Sequence, residues 1–342
     1  MSAQRVLAMG AVSVRYRPRA VAMNLLVGVG AAVCVLLALL LGEHGLSLGD
    51  VVHGLVGTGG KRVEPTFDRR IRRALAAVVF GACLGISGMI FQSLTRNPLG
   101  SPDVIGLNSG AYTGVVAVLV FGTPGYAALV LGAVGGSLAA AAVVFALSYR
   151  GGVDGFRLII VGIAVSAVLT SLNQWFSVKA DLDDAMHAAI WGAGSLNTVG
   201  WAPLVWAVAA AVVLLPTLPV ASFRIRQLEL GDDAATALGV RVDRTRVLLI
   251  VVGAGYTAVV TAIAGPIAFV ALAAPQIARR LQGPGAPLTV AGSALMGALL
   301  LSGADLVAQY MFADVRLPVG AVTVVLGGLY LIWLLMRENA RR

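Results

Sequence analysis

Few side chains in this sequence could do chemistry, and each group of them falls short of a complete site. The run Gly57-Thr58-Gly59-Gly60-Lys61-Arg62 is glycine-rich. A phosphate-cradling P-loop needs a glycine five residues before its last glycine, and a Ser or Thr after its lysine. Here those positions hold Leu55 and Arg62, so ATP chemistry must come from another subunit. His44, His53 and His187 are the only histidines, and neither an HExxH pattern nor a Cys/His cluster accompanies them. Cys34 and Cys83 sit inside apolar runs and read as small buried hydrophobes. Asp305 follows Gly303-Ala304 near the end of another apolar run. An ionisable residue in a membrane span usually marks ion coupling. Without further partners along the spans, Asp305 reads as a helix-end carboxylate, and a proton- or sodium-driven carrier lacks its relay. No constellation for a membrane-embedded enzyme is present either.

The elements that carry these residues are set by hydropathy. The chain has 342 residues, of which 58% are hydrophobic and 12% charged. That charged share is about half the usual one for a soluble domain. Mean hydropathy is +0.90. So much apolar surface calls for lipid as solvent, and a helix needs roughly 20 apolar residues to cross. Uncharged runs fall at 20–42, 74–95, 104–149, 158–178, 185–223, 247–278, 281–304 and 317–336. Gly122-Thr123-Pro124-Gly125 splits one long run and Gly265-Pro266 another. The run 185–223 holds a short helix near 188–196 and then a span from Trp201 to about Leu218. The expectation is an all-α integral membrane fold of about ten spans, forming one transmembrane domain over 1–342. The run 20–42 reads as a first span, being too long for the apolar core of a cleavable leader.

Charge orients this bundle. Net charge is +9, and lysine occurs only at Lys61 and Lys179. Arginines scattered between apolar runs fit loop ends and argue against a nucleic-acid partner. With the N-terminus inside and ten crossings, seventeen basic residues fall inside and eight outside, as the positive-inside rule asks. Both termini are then cytoplasmic, with 1–19 as an inner tail and 219–245 as an inner loop. Six of the eight outer charges crowd between Lys61 and Arg73, against that rule. They suit either snorkelling to headgroups or docking of an acidic partner. The inner loop carries Arg224 to Arg241, with Gly231 and Gly239 as punctuation. It predicts two short helices, with Asp232 and Asp233 at a positive helix N-terminus. The loop is either a solvated connector or a knob for a motor domain. A faint echo between 86–91 and 263–269 leaves internal symmetry open.

Longer motifs carry a resemblance. Arg70-Ile71-Arg72-Arg73-Ala74-Leu75-Ala76, then Gln92-Ser93-Leu94-Thr95-Arg96-Asn97-Pro98-Leu99-Gly100-Ser101-Pro102-Asp103, resemble the iron-siderophore and vitamin B12 type of ATP-binding cassette importer permease. So do Leu230-Gly231-Asp232 with Leu238-Gly239, Gly265-Pro266-Ile267-Ala268-Phe269-Val270, Ala274-Pro275-Gln276-Ile277-Ala278-Arg279, Ala304-Asp305 and Leu317-Pro318-Val319-Gly320. The match runs from about residue 20 to 338. Within the family, 97–103 and 326–335 are similar to permeases of ferric-enterobactin import, which implies a sister permease and a mixed dimer. Haem and cobalamin import are the neighbouring readings; a stand-alone secondary carrier is the rival from another class.

The resemblance implies several things that spacing does not. It implies an inverted repeat of spans 2–5 and 7–10, the type II importer architecture. It implies a bacterial inner-membrane location, a cytoplasmic ATPase dimer that holds ATP and Mg, and an extracytoplasmic siderophore-binding protein. No cofactor or metal is implied on this chain. Arg70, Arg73 and Arg316 match the arginines that hold acidic knobs of the binding protein. This chain adds Arg69, and it has Arg72 where the family usually has proline. Leu230, Gly231, Asp232, Asp233, Ala234, Ala235, Leu238 and Gly239 match the segment that seats on the ATPase. Asn97 and Leu99 match the inner gate. Asn173, Gln174, Trp175 and Trp191 are candidates to line the path.

Overall fold

The computed structural model describes residues 5–9, 12–42, 45–122, 125–150, 152, 154–283, 289–311 and 317–339. Arg316, His44 and the centre of the 122–125 turn lie outside them. A two-stranded antiparallel hairpin, β1 (Arg5–Met9) and β2 (Val12–Tyr16), stands where the sequence predicted only a polar tail. Every other regular element is helical. In chain order these are α1 (Pro18–Leu40), α2 (Leu48–Val56), α3 (Gly60–Thr95), α4 (Leu107–Phe121), α5 (Tyr126–Ser148), α6 (Gly155–Lys179) and α7 (Leu182–Gly192). They continue as α8 (Trp201–Leu214), α9 (Thr217–Leu228), α10 (Asp232–Ala237), α11 (Val242–Ala264), α12 (Val270–Gln282), α13 (Val290–Tyr310) and α14 (Val319–Asn339).

Among the described residues, six helices are long and apolar enough to cross a membrane: α1, α3, α5, α6, α11 and α13. A seventh is reached if the pair α8 and α9, bent by 50° at its break, is taken as one span. The helices α4, α12 and α14 occupy the remaining apolar runs read from the sequence. Two boundaries differ from expectation. The short helix after α6 covers 182–192, because Asp181 and the acidic first turn at Asp183 and Asp184 start it earlier than apolarity suggested. The span expected from residue 74 begins at Gly60 instead. Its 36 residues extend about 54 Å at 1.5 Å each, well past the ~30 Å hydrocarbon core. The overhang carries the arginine cluster, and it is held by a satellite core of Leu39, Leu46, Val51 and Phe67 against α2.

The bundle closes through small residues. Gly81 and Gly85 on α3 meet the backbone of α13 at Gly297 and Ser293. Gly110 and Gly114 on α4 meet α5 at Gly136 and Gly132. Both are small-xxx-small faces that let two backbones touch without an intervening side chain, the main way apolar helices associate in lipid. α3 also carries much of the bulk of the central core, with Phe80, Leu84, Met89, Ile90 and Phe91 fully buried beside Tyr256 of α11.

The packing list is nearly unchanged when α3, α4 and α5 are exchanged for α11, α12 and α13. α3 packs on α13 as α11 packs on α5; α4 packs on α5 as α12 packs on α13; α3 packs on α12 as α11 packs on α4. Exchanged helices lie five crossings apart, so their directions oppose. This is the pairing that an inverted repeat produces.

Candidate functional site

Three polar stations break the apolar bundle: one at each end and one in the middle. They are built from residues far apart in sequence.

Outer and inner here follow the orientation expected from the charge distribution; the station on the expected outer side centres on Asp305. Its carboxylate is buried on α13, and Arg73 of α3 approaches with Nε at 2.9 Å and Nη2 at 2.8 Å from Oδ1. Gln309, one turn along α13, donates to Oδ2 at 2.7 Å. Arg73 Nη1 also donates to Asn197 Oδ1 in the connector before α8. The side chains of Arg73 and Asp305 are 11% and 2% exposed. Arg73, expected among the docking arginines, is thus turned inward in this chain. Its guanidinium is used inside the fold, because Asp305 would otherwise be a buried charge without a partner. Asp305 itself sits within α13 and locks it to α3; it is not a helix-end carboxylate.

The remaining arginines of the cluster divide by geometry. Arg70 is half-buried and donates to the Leu39 carbonyl at the end of α1 at 2.6 Å. Arg72 pairs with Asp68 one turn back at 2.8 Å, and Trp201 Nε1 donates to the same carboxylate at 2.6 Å. Arg69 is exposed, and among the described residues it carries no hydrogen bond or ion pair. Lys61 is exposed at the start of the same helix.

The middle station joins the two short helices. α4 and α12 have 15 and 13 residues, too few for a full crossing. Their N-caps, Gly106 and Phe269, both adopt positive φ, at 92° and 68°. Asp103, three residues before Gly106, accepts from the Phe269 N–H at 3.2 Å and from Asn108 Nδ2 at 2.7 Å. Thr261 on α11 donates to Asn108 Oδ1 at 3.2 Å. The connectors 96–106 and 265–269, far apart in sequence, thus meet at one carboxylate, which receives the N-terminal N–H of α12 and a side-chain amide from the first turn of α4.

A glutamine pair lies on the inner side of that junction. Gln276 on α12 donates to Gln92 Oε1 at 2.7 Å and to the Pro98 carbonyl at 3.3 Å, and Gln92 donates to the Leu272 carbonyl at 2.9 Å. Asn97 folds its side chain onto the Leu99 N–H at 2.9 Å, and the Leu99 side chain is exposed. The segment expected to gate the path is thereby pinned to α12. The other path candidates do not form one surface. Asn173 is buried against Ser109 of α4, Gln174 and Trp175 are exposed on α6, and Trp191 lies beside Tyr112 with ring centroids 6.1 Å apart.

The inner station surrounds Asp232. The sequence predicts two short helices within 224–241; α10 lies there, whereas α9 starts at Thr217, inside the run expected to span, and Gly231 and Gly239 take positive φ of 102° and 81° that L side chains rarely adopt. Asp232 Oδ1 accepts from Arg96 at 2.8 Å, and Oδ2 accepts from Arg246 at 2.8 Å. Arg96 caps the end of α3 and also donates to the Leu228 carbonyl at 2.7 Å. Partial burial pushes the Asp232 carboxyl up, but the Arg246 and Arg96 guanidiniums outweigh it and hold it below the usual carboxylate range. Leu230, Asp233, Ala234, Leu238 and Gly239 are exposed; Gly231 is half-buried and Ala235 is buried beneath them. The exposed surface of α10 is thus carried on a strap tied to both α3 and α11. Arg96 and Arg246 escaped the sequence reading because no local pattern links them to a residue 136 or 14 positions away.

Among the described residues, no three His, Cys, Asp or Glu side chains converge to hold a metal. The stations contain no nucleophile–base pair; they pin helices together.

Comparison with known proteins places this architecture. The profile of the FecCD transport family matches residues 30–337. The chain is 48% identical over 273 residues to the ferric enterobactin transport system permease protein FepG of Escherichia coli K12, covering 80% of this chain and 82% of that protein. It is 36% identical to the iron(3+)-hydroxamate import system permease protein FhuG of Bacillus subtilis 168, covering 83% and 87% of the two. Among solved structures, an inward-facing ABC transporter assigned to the metal-chelate type superposes with a TM-score of 0.80 at 25% identity, over 93% of this chain and 99% of that one.

Proposed function

The chain belongs to the FecCD transport family, and from that premise we propose that it is the permease subunit of an ATP-binding cassette importer that carries ferric-siderophore chelates into a bacterial cell. It is a multi-pass membrane protein and a transporter subunit rather than an enzyme. ATP and Mg are held by a separate ATPase dimer, a second permease completes the path, and a binding protein delivers the chelate from outside. Both termini face the cytoplasm.

The observation that carries this reading is the strap at Asp232. A knob that receives force from a motor must be rigid towards the membrane and open towards the partner. α10 is exposed on one side and tied by Arg96 and Arg246 to α3 and α11 on the other. Movement of α10 therefore moves α3, whose end leads directly into Asn97 and Leu99. The ferric-siderophore cargo, and enterobactin within that class, is supported by the 48% likeness to the enterobactin permease. Docking of the binding protein falls on the overhang of α3, with Arg69 and Lys61 as its outward-facing charges, Arg70 and Arg72 beside them, and Arg316 as the counterpart before α14. Specificity resides mainly in the binding protein, since the permease interior offers few polar groups.

Two carboxylates, the half-buried Asp103 and the buried Asp305, bear on the rival carrier reading. Each is bonded within its own station and they share no partner. The test is uptake in proteoliposomes holding the complete complex. Ferric enterobactin should enter with ATP and stimulate its hydrolysis. Entry driven by a proton gradient without ATP would overturn ATP coupling. Entry of haemin or cobalamin in its place would overturn the cargo class. Arg69→Glu should weaken binding-protein affinity about tenfold at low salt; an unchanged affinity would remove Arg69 from the docking surface.

A further inference from the structure

We propose that the cavity between α9 and the start of α11 seats the phosphate of an anionic phospholipid from the adjoining leaflet, with its acyl chains lying along α11. The cavity is about 400 Å³ and is lined by Val220, Arg224, Gly239, Arg241, Arg244, Thr245 and Leu248. Arg224 comes from α9, Arg241 is the N-cap of α11, and Arg244 lies in its first turn. Among the described residues none of the three makes a hydrogen bond or ion pair. Of the neighbouring carboxylates, Asp232 is already held by Arg96 and Arg246, and Asp243 in the first turn of α11 offsets one of the three charges without an ion pair to any of them.

Three cations around one cavity repel one another unless an anion joins them. The first N–H groups of α11 add the positive end of a helix dipole, and no side chain caps them. Guanidinium groups are suited to phosphate, which they meet with two parallel hydrogen bonds.

The apolar wall decides the source of that phosphate. Val220 and Leu248 line the cavity and are themselves exposed, at 48% and 37%. Val247 and Val251 continue the exposed apolar surface along α11, and Phe223 does so along α9. A site for free phosphate needs no such apolar extension along α9 and α11. A basic cleft above an apolar helix face is the arrangement that binds a lipid headgroup and its chains together. The cavity also touches Gly239, so an occupied site would brace the strap that carries α10.

The experiment compares the full chain with the triple variant Arg224→Gln, Arg241→Gln, Arg244→Gln in nanodiscs of phosphatidylethanolamine doped with phosphatidylglycerol. Retained lipid is read by native mass spectrometry after detergent extraction. The wild type should retain phosphatidylglycerol in preference to phosphatidylethanolamine, and the triple variant should retain about tenfold less. Arg226→Gln, which removes a neighbouring charge outside the cavity, should leave retention unchanged. A triple variant that elutes aggregated is replaced by Arg244→Gln alone, for which a partial loss is expected. Equal retention by wild type and cavity variants would overturn the proposal. So would displacement of the lipid by millimolar inorganic phosphate, which would mark a free-anion site. Loss of ATPase co-purification with lipid retention intact would reassign the arginines to the ATPase interface and overturn it too.

Discussion

The carboxylate of Asp103 accepts a hydrogen bond of 3.2 Å from the main-chain N–H of Phe269, although the two residues stand 166 positions apart. That bond ties the connector leading into α4 to the N-cap of α12 and, through Asn108 in the first turn of α4, to Thr261 on α11. It sits at the exchange point of the two halves of the bundle, between the outer and inner polar stations.

Removing this carboxylate leaves the Phe269 N–H at the start of α12 and the Asn108 side-chain amide of α4 without their acceptor. Asp103→Ala should lower stability by about 1–3 kcal/mol and reduce chelate uptake. Asp103→Asn keeps an acceptor and should recover most of the stability. Thermal unfolding in nanodiscs, paired with uptake, checks this. Equal melting temperatures for wild type and Asp103→Ala would deny it the linking role.

The Arg73–Asp305 pair should behave as a buried ion pair. Arg73→Ala leaves Asp305 alone in the core and should cost about 3–5 kcal/mol. The double variant Arg73→Met with Asp305→Leu should be closer to wild type than either single change. A double-mutant cycle on unfolding free energy gives the coupling. Additive costs would mean that the two side chains act separately.

Asp232 links the knob to α3 and α11. Its side chain is 44% exposed and solvent screens part of each attraction, so the stability cost of Asp232→Asn is modest, about 1 kcal/mol. The functional cost is larger: ATP hydrolysis continues while chelate uptake falls several-fold. Because the carboxyl is held below its ordinary value, the strap's contribution is fully present above the unfolded carboxylate pKa of about 4. It is lost as pH falls through the lower folded value. Stability attributable to this group should therefore be flat around neutrality and decline only in acid. A decline near pH 7 in wild type that Asp232→Asn abolishes would contradict that sign.

Gly85 lets α3 touch the backbone of α13 at Ser293. Gly85→Leu forces the helices apart and should cost more than about 3 kcal/mol, with loss of folded yield. Gly303 has open space around it, so Gly303→Ala should be tolerated. The yield ratio of the two variants by size-exclusion chromatography reports the difference. Similar yields would remove the close approach as the reason for glycine.

Much of this architecture could be read in the sequence. The apolar runs placed the ten main helices, because a helix that must cross hydrocarbon satisfies its backbone internally and needs a minimum apolar length. Gly231 and Gly239 marked the ends of α10, because backbone conformation at a tight stop is a local property. The extended motifs around Asn97 and Gly265 pointed to the family. What the sequence could not show was which face of each helix meets protein. In a soluble helix, polarity separates the inner face from the outer one. In these spans lipid is as apolar as a neighbouring helix, so the pattern is nearly uniform around the axis, and only the small-residue spacing at Gly81 and Gly85 or Gly110 and Gly114 hints at contact. Arg73 therefore looked like one of several outer charges until α13 brought Asp305 to it. Arg96 looked like a helix-end cation until the strap brought Asp232 to it. Asp103 looked like a loop residue until α12 brought Phe269 to it. The sequence by itself determined that this chain is a multi-helix membrane permease of the FecCD family with one polar loop near 231–239. The tertiary structure decided which charges are spent holding it together, because ion pairs and hydrogen bonds across 136 to 232 residues depend on helix packing and leave no local trace.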